Sequence, residues 1–479
     1  MKILHATSEL YPLIKTGGLA DVLGALPFSQ QKRGDDVRVV LPYYRKVREA
    51  LPETIEIASR DTFGGYVTVR FTYFNGIGLY LVDAPHLFDR EGNPYHDAHY
   101  TDYSDNVIRF GVLSWAAAAL ACGLDENWGK PEILHAHDWQ TGLAPAYLKH
   151  WQSPVRSVFT IHNIAYQGMF QAKHLAELDL PSSMYQVEGL EFNGQLSFLK
   201  AGLFYADHIT TVSPTYAAEI TQEPAACGLH GLLQTRHSEG QLSGILNGVD
   251  DAVWNPQHDK HLVKPYHLRA MQGKKVNKTA IQEQFGLPVD TDTLLLTMIS
   301  RLTSQKGADL LLDALNRKLA EGAPLQFILL GSGVPGIEQA FKTLAAAYPN
   351  QVAVHIGYDE ELSHRLIAAA DIILVPSRFE PCGLTQLYGL KYGTLPLVRK
   401  TGGLADTVVN SDNASIKNKT ATGFVFEQVS SEALSNALNQ AANLWGSRTW
   451  SSIRKQAMQQ DFGWHIAAEN YNKCYQQTC

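Results

Sequence analysis

Short runs of β-branched and leucine residues alternate with stretches of helical spacing along nearly the whole chain of 479 residues. The runs in the first half predict strands at residues 2–6, 37–41, 78–82, 133–135, 157–161 and 208–212. Those in the second half predict strands at residues 294–300, 326–330, 352–356, 371–375 and 395–398. Because strands that alternate with helices form parallel sheets covered on both faces, the pattern predicts two doubly wound, Rossmann-like α/β domains.

A turn-rich stretch around Asn247 separates the two halves, and the polar residues that follow it have no clear period. We therefore predict an N-terminal domain at residues 1–246 and a C-terminal domain at residues 247–459. The last segment, 460–479, has a helical pattern, and we expect it to cross back to the N-terminal domain. Since open α/β sheets bind ligands beyond the carboxyl ends of their strands, we expect two sheets that face each other across a deep cleft holding the site.

Composition narrows the class of protein. The chain is 45% hydrophobic and 18% charged, with a net charge of −7 and dispersed lysine and arginine, which argues against a nucleic-acid or membrane-coating protein. The five cysteines include no C-x-x-C pair, so we expect neither a disulfide framework nor a zinc knuckle. The first residues lack the apolar region of a signal peptide, and the longest apolar stretch, 110–124, is too short to cross a bilayer. These features predict a cytoplasmic protein.

The heptapeptide KTGGLAD occurs twice, at residues 15–21 and 400–406. Each copy lies between a β-type apolar run and a helical pattern. A Gly-Gly turn in that position lets backbone N–H groups approach an anion at a helix N-terminus. The two copies therefore suggest two similar half-sites, although two tight turns that merely connect strand to helix would give the same pattern.

Two cations follow the strand predicted at residues 294–300. Arg301 and Lys306 flank the start of a helical pattern that begins at Ala308. Arginine offers a planar fork for phosphate and lysine a point charge, so together they could neutralise a diphosphate leaving group without a metal. The alternative is a solvated loop with a Ser/Thr helix cap.

A carboxylate follows the strand predicted at residues 371–375. Glu380 stands directly before Pro381, close to a helix start, and is therefore held rigidly. In that position it could accept hydrogen bonds from sugar hydroxyls or carry negative charge near a cationic transition state. A glutamate at a helix start also has a plain capping use.

Polar side chains end two predicted strands of the first domain. The motif HAHDW at residues 135–139 contains His135, His137 and Asp138, and the motif TIHN at residues 160–163 contains His162. Two polar strand ends in one domain suggest a site for a neutral, hydrogen-bonding substrate. The same four side chains could instead be metal ligands, although no carboxylate partner for the histidines is evident.

Two further motifs are ambiguous. Residues 331–336 (GSGVPG) match G-x-G-x-x-G after a strand, which would suit a nicotinamide dinucleotide, but no acidic residue ends the next strand. The pair Asp290 and Asp292 resembles the acidic metal site of some sugar transferases, but it precedes a strand rather than following one. We interpret the pair as part of a surface turn.

Taken together, these motifs resemble the bacterial glycogen synthases, which are retaining glucosyltransferases related to plant starch synthases. The resemblance covers the whole chain. It is carried by the motifs already quoted together with residues 192–194 (FNG), 198–202 (FLKAG), 247–250 (NGVD), 300–302 (SRL) and 378–384 (RFEPCGL). The resemblance implies the GT-B fold and transfer of glucose from ADP-glucose to the non-reducing end of an α-1,4-glucan, glycogen or a malto-oligosaccharide, in glycogen synthesis. It implies no cofactor and no metal.

The resemblance also implies roles for individual residues. Arg301 and Lys306 would bind the departing diphosphate, Glu380 would lie near the donor glucose, and Asp138 and His162 would orient the reacting sugar. Further substrate contacts are implied for a larger set: Lys15, Gly17, Gly18, Asp21, Asn247, Tyr358 (stacking on the base), Cys382, Gly383, Leu384, Thr401, Gly402 and Gly403. One departure is visible, because the second glutamate of the family's E-x7-E pattern is Tyr388 here.

No strand-end carboxylate has a convincing place as a nucleophile, so we expect front-side displacement, in which the leaving oxygen takes the acceptor's proton. Two other functions stay open. One is an oxidoreductase that uses residues 331–336, and the other is a glucan-binding protein that has lost catalysis.

Overall fold

The computed structural model describes all residues, 1–479, and their contacts divide the chain into two units. The first unit comprises residues 1–248 and 464–479, and the second comprises residues 249–463. Every strand that the hydrophobic pattern predicted is present, with ends that differ by at most two residues.

The first unit is built around a nine-stranded sheet. In spatial order its strands are Leu242–Gly244, His208–Thr211, Arg156–Ile161, Ile133–His137, Lys2–Ala6, Asp36–Pro42, Ile77–Asp83, Gly65–Phe74 and Ile55–Thr62. The first seven pair in parallel, and the last two form an antiparallel hairpin on the edge. A separate antiparallel sheet contains Met169–Gln171, Gln195–Ser197 and Glu191–Phe192.

The edge hairpin is absent from the sequence prediction, which considered only parallel strands. Its longer strand, Gly65–Phe74, buries Val67 and Val69 on one face, whereas on the other face Tyr66 is exposed and Arg70 is half-buried. This alternation with period two is typical of a sheet face that is covered on one side only. The first sheet is therefore mixed, with a parallel centre and an antiparallel edge.

The second unit contains one six-stranded parallel sheet. Its spatial order is Val352–Ile356, Leu325–Gly331, Leu294–Ile299, Ile372–Val375, Leu395–Arg399 and Phe424–Phe426. Along the chain these are the third, second, first, fourth, fifth and sixth strands, which is the order of a dinucleotide-binding sheet. The parallel strands of the first unit begin with the same order.

This strand order fixes where each sheet can hold a ligand. The order reverses between the first and fourth strands, and ligands bind in the crevice beyond the carboxyl ends of those two strands. In the first unit the two strands are Lys2–Ala6 and Ile133–His137. In the second unit they are Leu294–Ile299 and Ile372–Val375.

Helices cover both sheets. The helices of the first unit are Gly18–Leu23, Leu26–Lys32, Arg45–Ala50, Pro85–Phe88, Asn106–Ala121, Leu143–His150, Phe198–Tyr205, Pro214–Glu219, His230–Ser238 and Trp464–Thr478, with 3-10 turns at Trp139–Thr141, Ala172–Glu177 and Ser182–Met184. The helices of the second unit are Gln272–Gln284, Ala308–Ala320, Pro335–Ala347, Glu360–Ala369, Thr385–Tyr392, Gly402–Thr407, Asn413–Lys417, Ser431–Leu444 and Arg448–Met458. None of these helices is both long and apolar enough to span a bilayer.

The last helix, Trp464–Thr478, belongs to the first unit. It packs against the helix Leu26–Lys32 and buries Tyr471 and Tyr475 completely. The hydroxyl of Tyr475 contacts His135 at 2.7 Å, so the end of the chain reaches the carboxyl edge of the first sheet.

Candidate active site

In the second unit, the loop that carries both predicted cations follows the first strand of the sheet. The loop ends at Gly307, whose φ of 71° is in the left-handed region that favours glycine. A Cβ at Gly307 would overlap the carbonyl oxygen of Pro376, just beyond the fourth strand. Glycine therefore lets the two strand-end loops pack against each other at the point where the strand order reverses.

This packing brings Lys306 and Glu380 together. The ammonium of Lys306 lies 2.6 Å from Oε2 of Glu380, and the hydroxyl of Ser377 donates to the same oxygen at 2.9 Å. Glu380 is only 7% exposed, so its charge is largely removed from water. Its other oxygen, Oε1, makes no hydrogen bond within the protein and is open to a ligand.

Arg378 links the loop that carries Glu380 to the helix Ala308–Ala320, which follows the Arg301 loop. Its backbone N–H donates to the carbonyl of Gln305 at 2.8 Å, and its guanidinium donates to both oxygens of Asp309 at 2.7 and 2.8 Å. This bidentate contact holds the pKa of the Asp309 carboxyl below its usual value. The two loops are thus fixed to each other before any ligand arrives.

Arg301 differs from the other cations of this region. Its side chain is exposed and makes no hydrogen bond or ion pair. A small cavity of about 50 Å³ lies at the same strand ends, lined by Ser300, Lys306, Ser377, Glu380, Thr385 and apolar side chains. An unpaired guanidinium next to a paired lysine can take up the charge of an incoming anion without breaking a contact.

The two copies of the heptapeptide have different environments. In the second copy, Gly402 and Gly403 are buried against residues 380–382. A Cβ at Gly403 would lie 2.5 Å from the Cα of Cys382, and the N–H of Gly403 donates to the Glu380 carbonyl at 3.2 Å. These glycines therefore position the backbone that carries Glu380.

In the first copy, Gly17 and Gly18 are exposed, and a Cβ on either would meet open space. The buried carboxylate of Glu9 accepts hydrogen bonds from the backbone N–H groups of Thr16 and Gly17 at 2.6 and 3.2 Å. Part of the predicted anion-binding backbone is thus occupied by an internal carboxylate. The expectation of two similar half-sites is wrong, because the tertiary neighbours of the two copies differ.

Matched substitutions should affect stability differently in the two copies of the heptapeptide. We expect Gly403→Ala to lower the free energy of unfolding by about 1–3 kcal/mol, because its Cβ must displace the backbone of Cys382. Gly18→Ala should be neutral or slightly stabilising, because the residue begins a helix and its Cβ is unobstructed. Urea unfolding of both variants measures the difference, and equal stabilities would contradict the distinct environments.

In the first unit, Asp138 follows the fourth strand in a strained conformation. Its φ of 57° is rare for a residue with a side chain, and strain of this kind gathers at functional sites. Its Oδ1 accepts a hydrogen bond from the backbone N–H of His162 at 2.7 Å, which ties the two strand ends together. Burial raises the pKa of Asp138 to about 7.

The raised pKa of Asp138 gives a pH dependence of known sign. The folded protein holds this proton up to about pH 7, whereas an unfolded aspartate has a pKa of 3.8, so the carboxyl destabilises the fold increasingly as pH rises between those values. Asp138→Asn keeps an acceptor for the His162 N–H but has no charge. We expect its melting temperature, relative to the parent, to rise between pH 5 and pH 8. A pH-independent difference would contradict the shift.

His5, His135 and His137 form a cluster in which the ligating atoms lie within 4.8 Å of one another, close enough to hold a metal ion. However, both ring nitrogens of each histidine are already within hydrogen-bonding distance of a protein partner. The structure therefore supports a hydrogen-bonded imidazole network more than a metal site. His162, at the end of the next strand, joins this network through His137 at 3.0 Å.

The remaining predicted residues lie in both units. In the first unit, Lys15 contacts Asp21 at 2.8 Å, and Asn247 is buried with its side-chain oxygen unpaired. In the second unit, Tyr358 is 74% exposed, and its hydroxyl contacts Glu360. Cys382 and Thr401 are buried, Gly383 has a φ of 74°, and Leu384 directly precedes the helix Thr385–Tyr392.

Tyr388, at the position of the second glutamate of the E-x7-E pattern, stacks on Trp254 with ring centroids 3.8 Å apart. His364 stacks on Trp254 at 3.6 Å. The tyrosine thus has a packing partner in its own unit that a glutamate would lack.

The two ambiguous motifs have structural explanations. Cβ atoms at Gly331 and Gly333 would overlap the carbonyl oxygens of Ser300 and Leu302, so these glycines allow close packing against the Arg301 loop. Asp290 accepts hydrogen bonds from the Asp292 N–H at 2.8 Å and from the Thr293 hydroxyl at 2.7 Å, as expected for a surface turn.

The sequence analysis missed residues that support the site. Arg378 stood in a quoted motif and Ser377 directly before it, but only the fold shows that they hold Glu380 and the neighbouring loop. Gln30 and Tyr475 gave no local signal, since they contact each other across 445 positions of the chain. Glu9 lies only eight positions before its partner Gly17, but no motif marked it.

Two sheets whose central parallel strands share one order, each with polar and charged residues at its reversal point, are the architecture of a two-domain glycosyltransferase of the GT-B fold. The catalytic domain of starch synthase IV from Arabidopsis thaliana, bound to ADP and acarbose, matches with a TM-score of 0.87 and 31% identity, over 100% of this chain and 99% of that one. Sucrose-phosphate synthase from Thermosynechococcus elongatus shares the fold, with a TM-score of 0.58 and 17% identity over 99% of this chain and 98% of its own.

Sequence relatives identify the family within this class. The starch synthase catalytic domain family matches residues 2–235, and glycosyl transferases group 1 match residues 280–458. The glycogen synthase of Actinobacillus pleuropneumoniae serotype 5b is 59% identical over 100% of both chains, and that of Pasteurella multocida is 57% identical over 99% of both. The chain belongs to the glycogen synthase family and is a glucosyltransferase of glycogen synthesis.

Proposed function

We propose that the chain transfers glucose from ADP-glucose to the non-reducing end of an α-1,4-glucan such as glycogen, with retention of the α configuration and without a metal or cofactor. The observation that carries this proposal is the pairing of Lys306 with buried Glu380, in the same strand-end loop that carries the unpaired Arg301. The starch synthase IV domain has ADP bound, which supports the choice of nucleotide.

In the second unit, Arg301 and Lys306 bind the diphosphate and stabilise its charge as it leaves. Two cations, of which Lys306 is held by Glu380, can do this without a divalent ion. Glu380 uses Oε1 to accept a hydrogen bond from the donor sugar, while Oε2 keeps Lys306 in position. Tyr358, Cys382, Gly383, Leu384 and the loop of residues 401–403 complete the donor contacts.

In the first unit, Asp138 and His162 orient the reacting sugar, and the unpaired amide oxygen of Asn247 accepts from a substrate hydroxyl. The exposed loop of residues 15–21 contributes Lys15, Gly17, Gly18 and Asp21 to donor binding. Within this loop the backbone N–H of Gly18 is the best placed to bind the donor, because Glu9 already accepts hydrogen bonds from the N–H groups of Thr16 and Gly17.

The mechanism is front-side displacement. The acceptor hydroxyl attacks C1 on the face from which the nucleotide departs, the bond from C1 to the phosphate oxygen breaks, and that oxygen takes the acceptor's proton. Oε2 of Glu380 is already engaged by Lys306 and Ser377, which favours an electrostatic and binding use of this carboxylate over a nucleophilic one. A cytoplasmic location belongs to the same proposal.

Release of nucleoside diphosphate from ADP-glucose and from UDP-glucose tests the proposal, with glycogen present or absent and with EDTA added. We expect glycogen-dependent ADP release that survives EDTA. Loss of activity in EDTA would overturn metal independence, and faster release from UDP-glucose would overturn the choice of donor. Glycogen binding without release from either donor would indicate a glucan-binding protein instead.

A further inference from the structure

Three histidines at neighbouring strand ends of the first unit are hydrogen bonded in series. Nδ1 of His5 lies 3.0 Å from Nε2 of His137, and Nδ1 of His137 lies 3.0 Å from Nε2 of His162. His5 and His137 are completely buried. Nδ1 of His162 makes no hydrogen bond within the protein and is the open end of the series.

All three imidazoles are neutral near neutral pH. Burial lowers the pKa of His5 to about 4 and that of His162 to about 3, and it lowers the pKa of His137 as well. A neutral imidazole has one N–H donor and one acceptor nitrogen. In an unbranched series each ring must donate in the same direction. The group that sets which nitrogen of the first ring carries the proton therefore sets it for the last ring as well.

The first ring is fixed by Gln30. Nε2 of His5 lies 2.7 Å from the amide oxygen of Gln30, so His5 must donate from Nε2 and accept at Nδ1. His137 then donates from Nε2 to His5, and His162 donates from Nε2 to His137. This direction leaves Nδ1 of His162 as an acceptor.

The Gln30 amide also contacts the last helix of the chain. The amide nitrogen donates to the hydroxyl of Tyr475 at 3.0 Å, and that hydroxyl in turn donates to Nδ1 of His135 at 2.7 Å. His135 then donates from Nε2 to Thr160 at 2.6 Å, and Thr160 contacts Thr210 at 2.5 Å. In this direction His5, His135 and His137 each donate from one ring nitrogen and accept at the other.

We propose that Gln30 and Tyr475 are positioning residues that hold His162 in the tautomer protonated at Nε2, so that Nδ1 accepts a hydrogen bond from a substrate hydroxyl. The inference rests on the proposed contact of His162 with the reacting sugar. It gives the returning C-terminal helix a specific task in the transfer reaction, because Tyr475 is the hydrogen-bond partner of the Gln30 amide nitrogen.

Nitrogen-15 NMR of the full chain labelled at histidine tests the tautomer directly, with His162 assigned by comparison with His162→Gln. We expect Nδ1 of His162 to be unprotonated at neutral pH in the parent. Gln30→Met removes the amide and should give a mixture of tautomers, with kcat/KM lowered about fivefold to tenfold, the value of one hydrogen bond. Tyr475→Phe, a smaller change, should shift the mixture in the same direction.

Two further variants separate positioning from simple support of the fold. Gln30→Glu keeps an acceptor facing His5, so we expect the parent tautomer and a kcat/KM near that of the parent. Thr211→Val removes a buried hydroxyl outside the series, one that donates to the Ile161 carbonyl at 2.7 Å, and we expect it to lower the melting temperature while leaving the tautomer unchanged.

A parent protonated at Nδ1 would overturn the proposal, as would an unchanged tautomer in both Gln30→Met and Tyr475→Phe. A changed tautomer with unchanged kcat/KM would overturn the contact with substrate. If the parent released no ADP from ADP-glucose, the proposed function would fail, yet the NMR result would still decide whether Gln30 sets the tautomer.

Discussion

Alanine in place of Arg301 will lower kcat for ADP release by about 10²-fold, with no change in melting temperature. The side chain is exposed and has no partner in the protein, so its removal leaves no buried group unsatisfied. Its positive charge is then lost only from the complex with the diphosphate. Turnover at saturating ADP-glucose and glycogen, together with a thermal melt, measures both effects.

Lys306→Ala should be slower still, by about 10³-fold, and less stable than the parent. Removing this lysine leaves the buried carboxylate of Glu380 without its cation, and an uncompensated buried charge is costly. Arg317→Ala provides the control, because Arg317 is an exposed cation on the next helix, paired only with Asp313 at 2.9 Å. Turnover near the parent level in both Arg301→Ala and Lys306→Ala would remove their proposed place at the leaving group.

The eleven predicted strands were recognisable because most are short, nearly continuous apolar runs. The parallel strands Leu242–Gly244 and Phe424–Phe426 were missed, because three residues are too few to show a pattern. The edge hairpin, Ile55–Thr62 with Gly65–Phe74, was also missed, since its alternating pattern is interrupted by charged and exposed residues such as Arg60 and Asp61. The small sheet that contains Glu191–Phe192 has strands of only two or three residues, too short for any periodicity.

For the candidate site, the residues that sit on strand ends could be named from the sequence because strand order places them. The residues that hold these side chains in position could not be named in this way. Identical heptapeptides adopt different conformations here: the helix begins at Gly18 in one copy and one position earlier in the other, at Gly402. The difference comes from Glu9 in one case and from the backbone of residues 380–382 in the other.

The histidine series illustrates the same limit. Gln30 and Tyr475 are 445 positions apart and meet only because the last helix returns to the first unit. No local sequence pattern indicates that the oxygen of a glutamine amide contacts one histidine while its nitrogen contacts the tyrosine bound to another histidine. Such a network becomes visible only when each buried donor and acceptor is counted in the folded protein.

The second large effect is expected at Glu380. Glu380→Gln keeps the size of the side chain and an oxygen for Ser377, but it removes the negative charge, and we expect kcat to fall by about 10²- to 10³-fold. Two explanations would account for that loss. The carboxylate could act on the donor sugar through Oε1, or it could serve only to hold Lys306 through Oε2.

A double-mutant cycle distinguishes the two explanations, because residues that act through one contact are not additive. If Glu380 served only to hold Lys306, the double variant Lys306→Ala/Glu380→Gln would turn over as fast as Lys306→Ala alone. We expect it instead to be slower than either single variant, though by less than the product of the two losses, because Oε1 makes no contact within the protein while Oε2 is shared with Lys306.

The unfolding free energies should behave differently: once Lys306 is gone, neutralising Glu380 relieves a buried charge, so the double variant should be more stable than Lys306→Ala. Slower turnover combined with restored stability would assign the carboxylate a contact with the substrate that is separate from its ion pair.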